Sequence, residues 1–389
     1  MRDVYLDYGA VTPTHPAVVE AMVPYLREQF GNPLSLHRYG EGPRAAIETA
    51  REKVAALIGA QPNEIYFTAS GSEANNMAVK GIAMMARVKG KGNHIVVSAI
   101  EHQSVLYAAE TMGKLGFEVT QVPVDRYGLV DPQAVAAALR DDTVLVAVML
   151  ANGEIGTIEP VAEIAQVVKA RGIPFLSDAV DAVGRIPVDV NQLGVDLLSL
   201  SGSQFYGPKG AAALFIRRGV RITPLIDGGI QENGRRAGLE DVPAIVGLGV
   251  AAELAREEME KRTAHLLPLR DRLMARLTSE IPHLYLTGHP TQRLPHHVSV
   301  VVEYIEGESM LLFLSMQGIA VSSGSTCTSR ALKASHVLTA IGIDAALAQG
   351  SLVFTLGEGN SMEDADYVLA TLPPIVERLR QMSPLYPGR

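Results

Sequence analysis

The chain has 389 residues, 47% of them apolar and 20% charged, a balance that fits a compact folded protein and excludes a disordered or coiled-coil chain. Lysine and arginine total 34 against 42 acidic residues, so the net charge is −8, and without a basic run we expect no nucleic acid partner. The longest apolar stretch, residues 144–151, is far shorter than the roughly 18 residues of a membrane span, so we expect a soluble protein with no membrane association.

The first residues and the cysteine content indicate a compartment. The sequence starts Met-Arg-Asp-Val-Tyr and lacks the apolar core of a secretory signal. Its single cysteine excludes an intrachain disulfide and zinc sites built from several cysteines. We therefore expect a cytoplasmic protein.

Between about residues 60 and 217, short β-rich runs alternate with longer helical patterns. The runs are nearly all apolar, as in strands that are covered on both faces, and they lie at residues 64–68, 94–98, 118–124, 144–150, 174–177, 197–200 and 212–216. The helical patterns lie at residues 73–88, 103–115, 132–139 and 160–171. This alternation predicts a three-layer α/β domain with a mostly parallel seven-stranded sheet.

The pattern changes after residue 241. Residues 242–260 and 266–281 predict two long charged helices. Beyond them, shorter strands and helices alternate, which predicts a smaller α+β C-terminal domain; these lie at residues 284–286, 297–302, 307–317, 319–322, 352–356 and 364–381. We expect a large domain over residues 16–260 and a small one formed by residues 1–15 and 261–389.

Residues 67–76 run from an apolar strand through small residues into a helix. The free N–H groups and positive dipole end of such a helix suit a phosphate. The alternative is an ordinary strand-to-helix turn in which Ser70 or Ser72 caps the helix. The segment alone leaves both open.

Two titratable residues follow predicted strands. Asp178 ends one strand, at the carboxyl edge where open α/β sheets bind ligands, so its carboxylate could pair with a protonated ring nitrogen. His102 follows another strand and is expected at the same edge. The alternatives are a turn or cap residue for Asp178 and a solvated loop residue for His102.

The single cysteine, Cys327, lies among small polar residues at 321–329 with no apolar period. Structural cysteines are normally buried small hydrophobes. Since loops carry reactive groups, this pattern favours an exposed thiol over a core residue.

Taken together, these segments resemble the NifS/IscS-type cysteine desulfurases, which belong to the class V aminotransferases with the fold-type I architecture of pyridoxal-phosphate (PLP) proteins. The matching stretches occur in the family's order over nearly the whole chain, at residues 5–7, 30–37, 67–76, 101–102, 152–158, 178–184, 199–210, 228–238 and 322–330. The resemblance implies a homodimer, because the family's pocket is completed across two subunits. It also implies a persulfide on the loop cysteine and a sulfur acceptor or iron–sulfur scaffold protein as partner.

The same resemblance assigns site residues. It gives Cys327 the sulfur-carrying role, or that of a ligand to a shared iron–sulfur cluster, and His102 a catalytic one. It places the coenzyme against Ser72, Asp178, Ser201, Ser203 and Gln204.

Residue 204 departs from the family, which holds PLP as a Schiff base on a lysine at this position. An amide is not a useful nucleophile or base, so Gln204 cannot replace that lysine. Further departures cluster around the same pocket, and they are Ser203 for histidine, Gly153 for asparagine, Asp181 for glutamine, Leu239 for threonine and Val353 for the arginine that holds the substrate carboxylate.

Three hypotheses follow. The first is a desulfurase-like homodimer without efficient catalysis, in which Cys327 carries sulfur or ligates a cluster. The second is a working enzyme that holds PLP noncovalently, with Asp181 or His102 as base. The third is a structural or regulatory partner of an active relative.

Overall fold

The computed structural model of the protein describes residues 2–324 and 334–387. The strands are β1 (Val4–Tyr5), β2 (Ile65–Thr68), β3 (His94–Ser98), β4 (Glu118–Val122), β5 (Thr143–Ala147), β6 (Phe175–Asp178), β7 (Leu197–Ser201), β8 (Ala212–Ile216), β9 (Leu284–Leu286), β10 (His297–Val302), β11 (Ile319–Ala320) and β12 (Ser351–Thr355). The α-helices are α1 (Pro16–Arg27), α2 (Arg38–Leu57), α3 (Gly71–Val88), α4 (Gln103–Lys114), α5 (Pro132–Ala138), α6 (Val161–Ala170), α7 (Val190–Leu193), α8 (Val242–Glu280), α9 (Gly307–Met316), α10 (His336–Ala340), α11 (Ala345–Ala348) and α12 (Met362–Met382).

The large sheet has seven strands in the order β2-β8-β7-β6-β5-β3-β4. The pairs within β7-β6-β5-β3-β4 are parallel, whereas β8 runs antiparallel to both β2 and β7. The predicted mostly parallel seven-stranded sheet is thus confirmed.

Alternate side chains of the large sheet enter two different cores. In β3, Val96 packs into a core shared with α2, α6 and α8, whereas Ile95 and Val97 pack into a core shared with α3 and α4. Because successive residues of a strand face opposite sides, helices cover both faces of the sheet. This explains the nearly continuous apolar runs and confirms the three-layer architecture.

A third core contains Val4 and Leu6 together with apolar residues from Leu266 onward. It covers the antiparallel sheet β12-β10-β9, which packs with α9 and α12, as the predicted α+β region requires. The domain bounds 16–260 and 1–15 with 261–389 stay a prediction.

The prediction of two helices after residue 241 is wrong. The structure has the single helix α8, whose first half packs into the core of the large sheet and whose second half packs into the third core. The sequence Lys-Arg-Thr-Ala-His at 261–265 contains no glycine or proline that would end a helix. The sequence patterns also predict no helix or strand over residues 16–57. The structure instead has α1 and α2 there, and both pack against α8.

Among the described residues, no helix is both long enough and apolar enough to cross a membrane.

Candidate functional site

The parallel strands of the large sheet end at one edge, and the predicted site residues follow them there. Glu101 and His102 follow β3, Asp178 ends β6, Ser201 ends β7 and residues 202–204 follow it. The first turn of α3 reaches the same edge, since a Cβ on Gly71 would lie 2.5 Å from Val180, two residues beyond β6. That approach requires glycine at position 71.

Asp178 is buried and held by three hydrogen-bond donors. Its Oδ2 accepts from Nδ2 of Asn75 at 2.6 Å, and its Oδ1 accepts from the Ser199 hydroxyl at 2.9 Å and the Val180 N–H at 3.0 Å. The carboxylate is therefore fixed in orientation at the sheet edge. Asp178 also acts as a turn residue, the alternative interpretation, because its side chain accepts from the backbone N–H of Val180, two residues further along the chain.

The first turn of α3 is closed by its own side chains. Ser70 caps the helix by accepting from the Glu73 N–H at 3.1 Å, and Glu73 accepts in return from the Ala69 N–H at 2.9 Å. Ser72 is exposed. The capping interpretation is therefore confirmed for Ser70, whereas phosphate binding at Ser72 stays a prediction.

His102 caps α4 and is exposed. Its Nδ1 accepts from the Ser104 N–H at 3.1 Å and lies 2.7 Å from the Ser104 hydroxyl. That hydroxyl also accepts from Asn75 at 2.9 Å. A chain of hydrogen bonds therefore links His102 through Ser104 and Asn75 to Asp178. Neither Asn75 nor Ser104 is predicted as a site residue from the sequence, although Asn75 lies within the family-matching segment 67–76.

The residues after β7 contain no amine at the coenzyme-anchor position. The Ser201 and Ser203 hydroxyls lie 3.1 Å apart. The buried Gln204 accepts at Oε1 from Nη2 of Arg185 at 2.8 Å and donates from Nε2 to the Ala10 carbonyl at 3.3 Å. The amide is thus engaged on both of its polar atoms, and sequence reasoning did not find Arg185.

Two of the family departures meet in space. A Cβ on Gly153 would lie 2.4 Å from Oδ2 of Asp181, so the carboxylate occupies the room that a larger residue 153 would need. Burial raises the pKa of Asp181 to about 6, against the opposing effect of Arg185. The Gly153 and Asp181 substitutions are sterically complementary.

Cys327 lies outside the described residues, but both described flanks of its segment contact the site region. The Gly324 N–H donates to the Ser351 hydroxyl at 3.2 Å, and Ser322 pairs with Val353, which is buried in β12. On the other side, Nε2 of His336 lies 3.0 Å from the carbonyl of Glu101. Leu239, another of the family departures, is exposed.

Glu101, beside His102, is completely buried. Its Oε1 accepts from the Ser98 hydroxyl at 2.6 Å and the Met149 N–H at 2.7 Å, while Oε2 has no hydrogen-bond partner among the described residues. Burial raises the pKa of this carboxyl from 4.5 to about 8. Between about pH 4.5 and pH 8, the folded protein therefore holds a proton on Glu101 that the unfolded chain has released.

We expect the Glu101→Gln variant to lose part of the pH dependence of stability. Because the folded pKa of Glu101 is raised, its contribution is fully present below about pH 4.5 and is lost as the pH rises toward about 8. The variant's free energy of unfolding should therefore fall less steeply over this range, by up to about 1.4 kcal/mol per pH unit. Urea unfolding at several pH values measures this slope. The exposed Glu110→Gln variant should match the parent, and equal slopes in all three proteins would contradict the assignment.

A model of the family described as aminotransferase class-V matches residues 4–368, so the chain belongs to this family. Over 386 residues it is 53% identical to cysteine desulfurase IscS of Methanosarcina thermophila, covering 99% of this chain and 95% of the relative. It is 51% identical to cysteine desulfurase IscS of Dictyoglomus turgidum over 383 residues, covering 98% of this chain and 97% of that relative. Within the family it is therefore a member of the NifS/IscS-type cysteine desulfurases.

A solved structure of a NifS-like protein agrees with the architecture. It is 36% identical in sequence, has a TM-score of 0.90, and the match covers 97% of this chain and all of that one. The fold is thus that of the fold-type I PLP proteins, as the resemblance implied.

The family implies PLP as coenzyme, and the residues present do not fit its covalent attachment. The side chain at the anchor position is an amide whose oxygen and nitrogen are both hydrogen-bonded, and Lys209, which lies in the same family-matching segment 199–210, is exposed. The oriented Asp178 carboxylate and the first turn of α3 are the groups at this edge that could hold the coenzyme noncovalently.

Proposed function

We propose that this chain mobilises sulfur as a carrier on Cys327 and lacks efficient PLP-dependent desulfuration of its own. The observation that carries the proposal is the Gln204 amide, hydrogen-bonded to Arg185 and to the Ala10 carbonyl at the position where the family has its lysine. The names of the relatives, cysteine desulfurase IscS, support a role in sulfur mobilisation.

The loss of the lysine removes two chemical roles. A lysine amine forms and breaks a covalent bond to a carbonyl carbon, and the freed amine then transfers protons as a base and acid. An amide does neither. General acid–base help alone contributes about 10²–10⁴-fold to such reactions. We therefore expect desulfuration of free cysteine to be slower by at least this factor than in relatives that keep the lysine.

Substrate binding is weakened as well. Val353 stands where the family has an arginine for the substrate carboxylate, and its apolar side chain is buried in β12. A charge-assisted hydrogen bond of this kind contributes roughly 1.5–3 kcal/mol. The loss of both groups argues for divergence of the whole pocket rather than a single stray substitution.

The proposed sulfur step needs only the thiol. The Cys327 thiolate attacks the terminal sulfur of a persulfide donor, a new S–S bond forms on Cys327, and the donor leaves as a thiolate. No net oxidation occurs, because one sulfur–sulfur bond replaces another. The chain then passes the sulfur to an acceptor or iron–sulfur scaffold protein, or Cys327 joins a partner's ligands on a shared cluster.

The test compares two sulfur sources by intact mass. With a small-molecule persulfide donor, we expect the chain to gain the mass of a single sulfur atom, whereas free cysteine with added PLP should leave it unmodified on the same time scale. The relative from Methanosarcina thermophila serves as the reference for desulfuration. The Cys327→Ser variant controls for sulfur held elsewhere.

Each outcome decides between the hypotheses. Rapid loading from free cysteine at the rate of the relative would contradict impaired catalysis and support an enzyme with noncovalent PLP. No loading from either source would contradict the carrier role and favour a structural or regulatory partner. Iron–sulfur clusters are held mainly by cysteine thiolates, and Cys327 is the single cysteine of the sequence, so a cluster ligated by Cys327 would need further ligands from a partner.

An enzyme with noncovalently held PLP is the second candidate, and one observation favours it. The network from His102 through Ser104 and Asn75 to Asp178 is complete without a lysine. If this network holds the coenzyme, the purified protein should show an absorbance band near the boundary between the ultraviolet and visible ranges, and the band should shift when an amino acid is added. A colourless protein that cannot be reconstituted with PLP would exclude this function.

We also propose a homodimer, because apolar side chains are exposed in and beside two segments that match the family, residues 30–37 and 228–238. They are Leu26, Phe30, Leu34, Leu36 and Tyr39 in or beside the first segment and Leu225, Ile226, Ile230 and Leu239 in or beside the second. Leu36 is 94% exposed and Ile230 is 76% exposed. Exposed apolar residues concentrated in short segments favour a protein interface.

The double variant Leu36→Asp/Ile230→Asp should convert a dimer into a monomer, because it places two unpaired charges in the interface. Sedimentation equilibrium measures the mass of both proteins. Leu115→Asp, on an exposed residue outside these segments, is the matched control. A parent protein that sediments as a monomer would contradict the proposed dimer.

A cytoplasmic location and a lack of nucleic acid partners remain part of the proposal.

A further inference from the structure

An open pocket of about 530 Å³ lies at the opposite edge of the large sheet from the candidate site. It is lined by the start of β5 at Thr143 and Val144, by the residues before β6 and by residues 219–221 after β8. The site residues described above lie at the other edge of the same sheet, after β3, at the end of β6 and after β7. Because a five-residue strand is about 15 Å long, the pocket and the candidate site are separate.

The pocket has an apolar floor. The residues Ile82, Val144 and Ile173 are buried there, and Met85 and Val220 are half-buried. They come from α3, β5, the segment before β6 and the segment after β8. A pocket of this volume with an apolar floor suits the body of a small organic molecule.

The rim of the pocket is cationic. Five exposed basic residues line it, namely Lys89, Lys91, Arg140, Arg171 and Arg221, with Asp141 as the one acidic residue among the lining residues that the structure describes. These basic residues come from four separate places in the sequence, so they form no basic run along the chain.

Not all of this charge is neutralised. Arg140 pairs with Glu118 and Asp142, and Arg171 lies 3.6 Å from Asp141. Within residues 2–324 and 334–387, no carboxylate forms an ion pair with Lys89, Lys91 or Arg221. In a chain of net charge −8, three unpaired cations around one concave surface attract an anion locally.

We propose that this pocket binds an organic phosphate that carries at least two negative charges on an apolar body, of the size of a nucleoside diphosphate. The phosphates contact Lys89, Lys91 and Arg221, and the body of the ligand lies on the aliphatic floor. Helix α3 connects this pocket to the candidate site, since its last turn lines the pocket and its first turn lies at the other edge of the sheet.

The test uses ADP as probe, titrated into the full-length protein in a calorimeter at low and moderate salt. We expect saturable binding that weakens as the salt rises, because the contacts are charged. The triple variant Lys89→Gln/Lys91→Gln/Arg221→Gln should lower the affinity at least about tenfold, the equivalent of about 1.4 kcal/mol. The matched control is Lys114→Gln/Arg256→Gln/Lys261→Gln, which removes three exposed charges outside the pocket and should keep the parent affinity.

A steric variant separates pocket binding from general attraction. Met85→Trp fills the floor, keeps every cation and should also lose ADP binding. Thermal unfolding of each variant checks that it is folded. No binding to the parent at low salt, an equal loss in the control triple variant, or unchanged binding in a folded Met85→Trp protein would each overturn the proposal. None of these results bears on sulfur loading of Cys327.

Discussion

The Gln204→Lys variant is expected to bind PLP covalently, whereas the parent protein is not. The substitution places a primary amine at the position from which the family attaches its coenzyme, on a 3₁₀ turn that directly follows β7. Asp178 and the first turn of α3 already lie at the same edge of the sheet. Covalent occupancy should rise from none in the parent to nearly every chain in the variant.

The neighbourhood of residue 204 favours a reactive amine. In the parent, Nη2 of Arg185 lies 2.8 Å from Oε1 of Gln204. A lysine ammonium would therefore face a guanidinium, and a nearby like charge lowers the pKa of an amine. The neutral amine is the nucleophilic form, so this contact assists attachment.

Borohydride reduction followed by intact mass measurement detects the covalent link without any assay of activity. Gln204→Met, which has a similar length and no amine, is the matched control. Persulfide formation from free cysteine should also rise by about 10²-fold, the lower end of general acid–base contributions, because Val353 still lacks the carboxylate contact. A folded Gln204→Lys protein that gains no reducible adduct would show that other changes in the pocket exclude the coenzyme.

The Arg51→Met variant is expected to lose about 3–5 kcal/mol of folding stability, because it leaves a buried carboxylate without its partner. Arg51 binds Glu232 through two hydrogen bonds of 2.8 Å each, and it also donates to the Ile65 carbonyl at 2.7 Å. The side chains are only 9% and 2% exposed. Glu232 in turn accepts from the Phe67 N–H at 2.8 Å, in the strand that leads to the first turn of α3.

This ion pair joins three distant parts of the chain near the candidate site. Glu232 has φ of 48°, a left-handed conformation that is unfavourable for a residue with a side chain. The segment continues to Arg236, whose Nε lies 2.9 Å from Glu73 of α3. Loss of Arg51 should therefore loosen the turn before α3 as well as lower global stability.

Urea unfolding measures the loss. Arg276→Met removes one member of an exposed pair with Glu280 and should cost less than about 1 kcal/mol. The double variant Arg51→Met/Glu232→Gln should be more stable than Arg51→Met alone, since no unpaired buried charge remains. A loss in Arg51→Met as small as that in Arg276→Met would contradict a structural role for the pair.

The large sheet was predictable because its strands are apolar on both faces and alternate with helical patterns. The positions of Asp178 and His102 were also predictable, since each follows a strand and parallel strands end at one edge. The absence of an amine at Gln204 needed only the motif around it. Helix α8 was misjudged because a change in residue pattern was taken for a break where no helix-breaking residue stands.

The contacts that decide the chemistry of the site were not predictable. The hydrogen bond from Arg185 to Gln204, the link from Asn75 through Ser104 to His102 and the fit of Asp181 beside Gly153 join residues from different elements. No local pattern encodes which rotamers meet after the strands have assembled.

The sequence by itself determined the fold class, the family and the identity of the groups available for chemistry, because apolar periodicity and residue type are local properties of the chain. The tertiary structure decided which of those groups meet. It placed Arg185 against Gln204, and it gathered Lys89, Lys91 and Arg221 around one pocket in a chain whose net charge is negative. Such arrangements depend on the packing of elements far apart in sequence, and the free energy of that packing comes from the whole core rather than from any one segment.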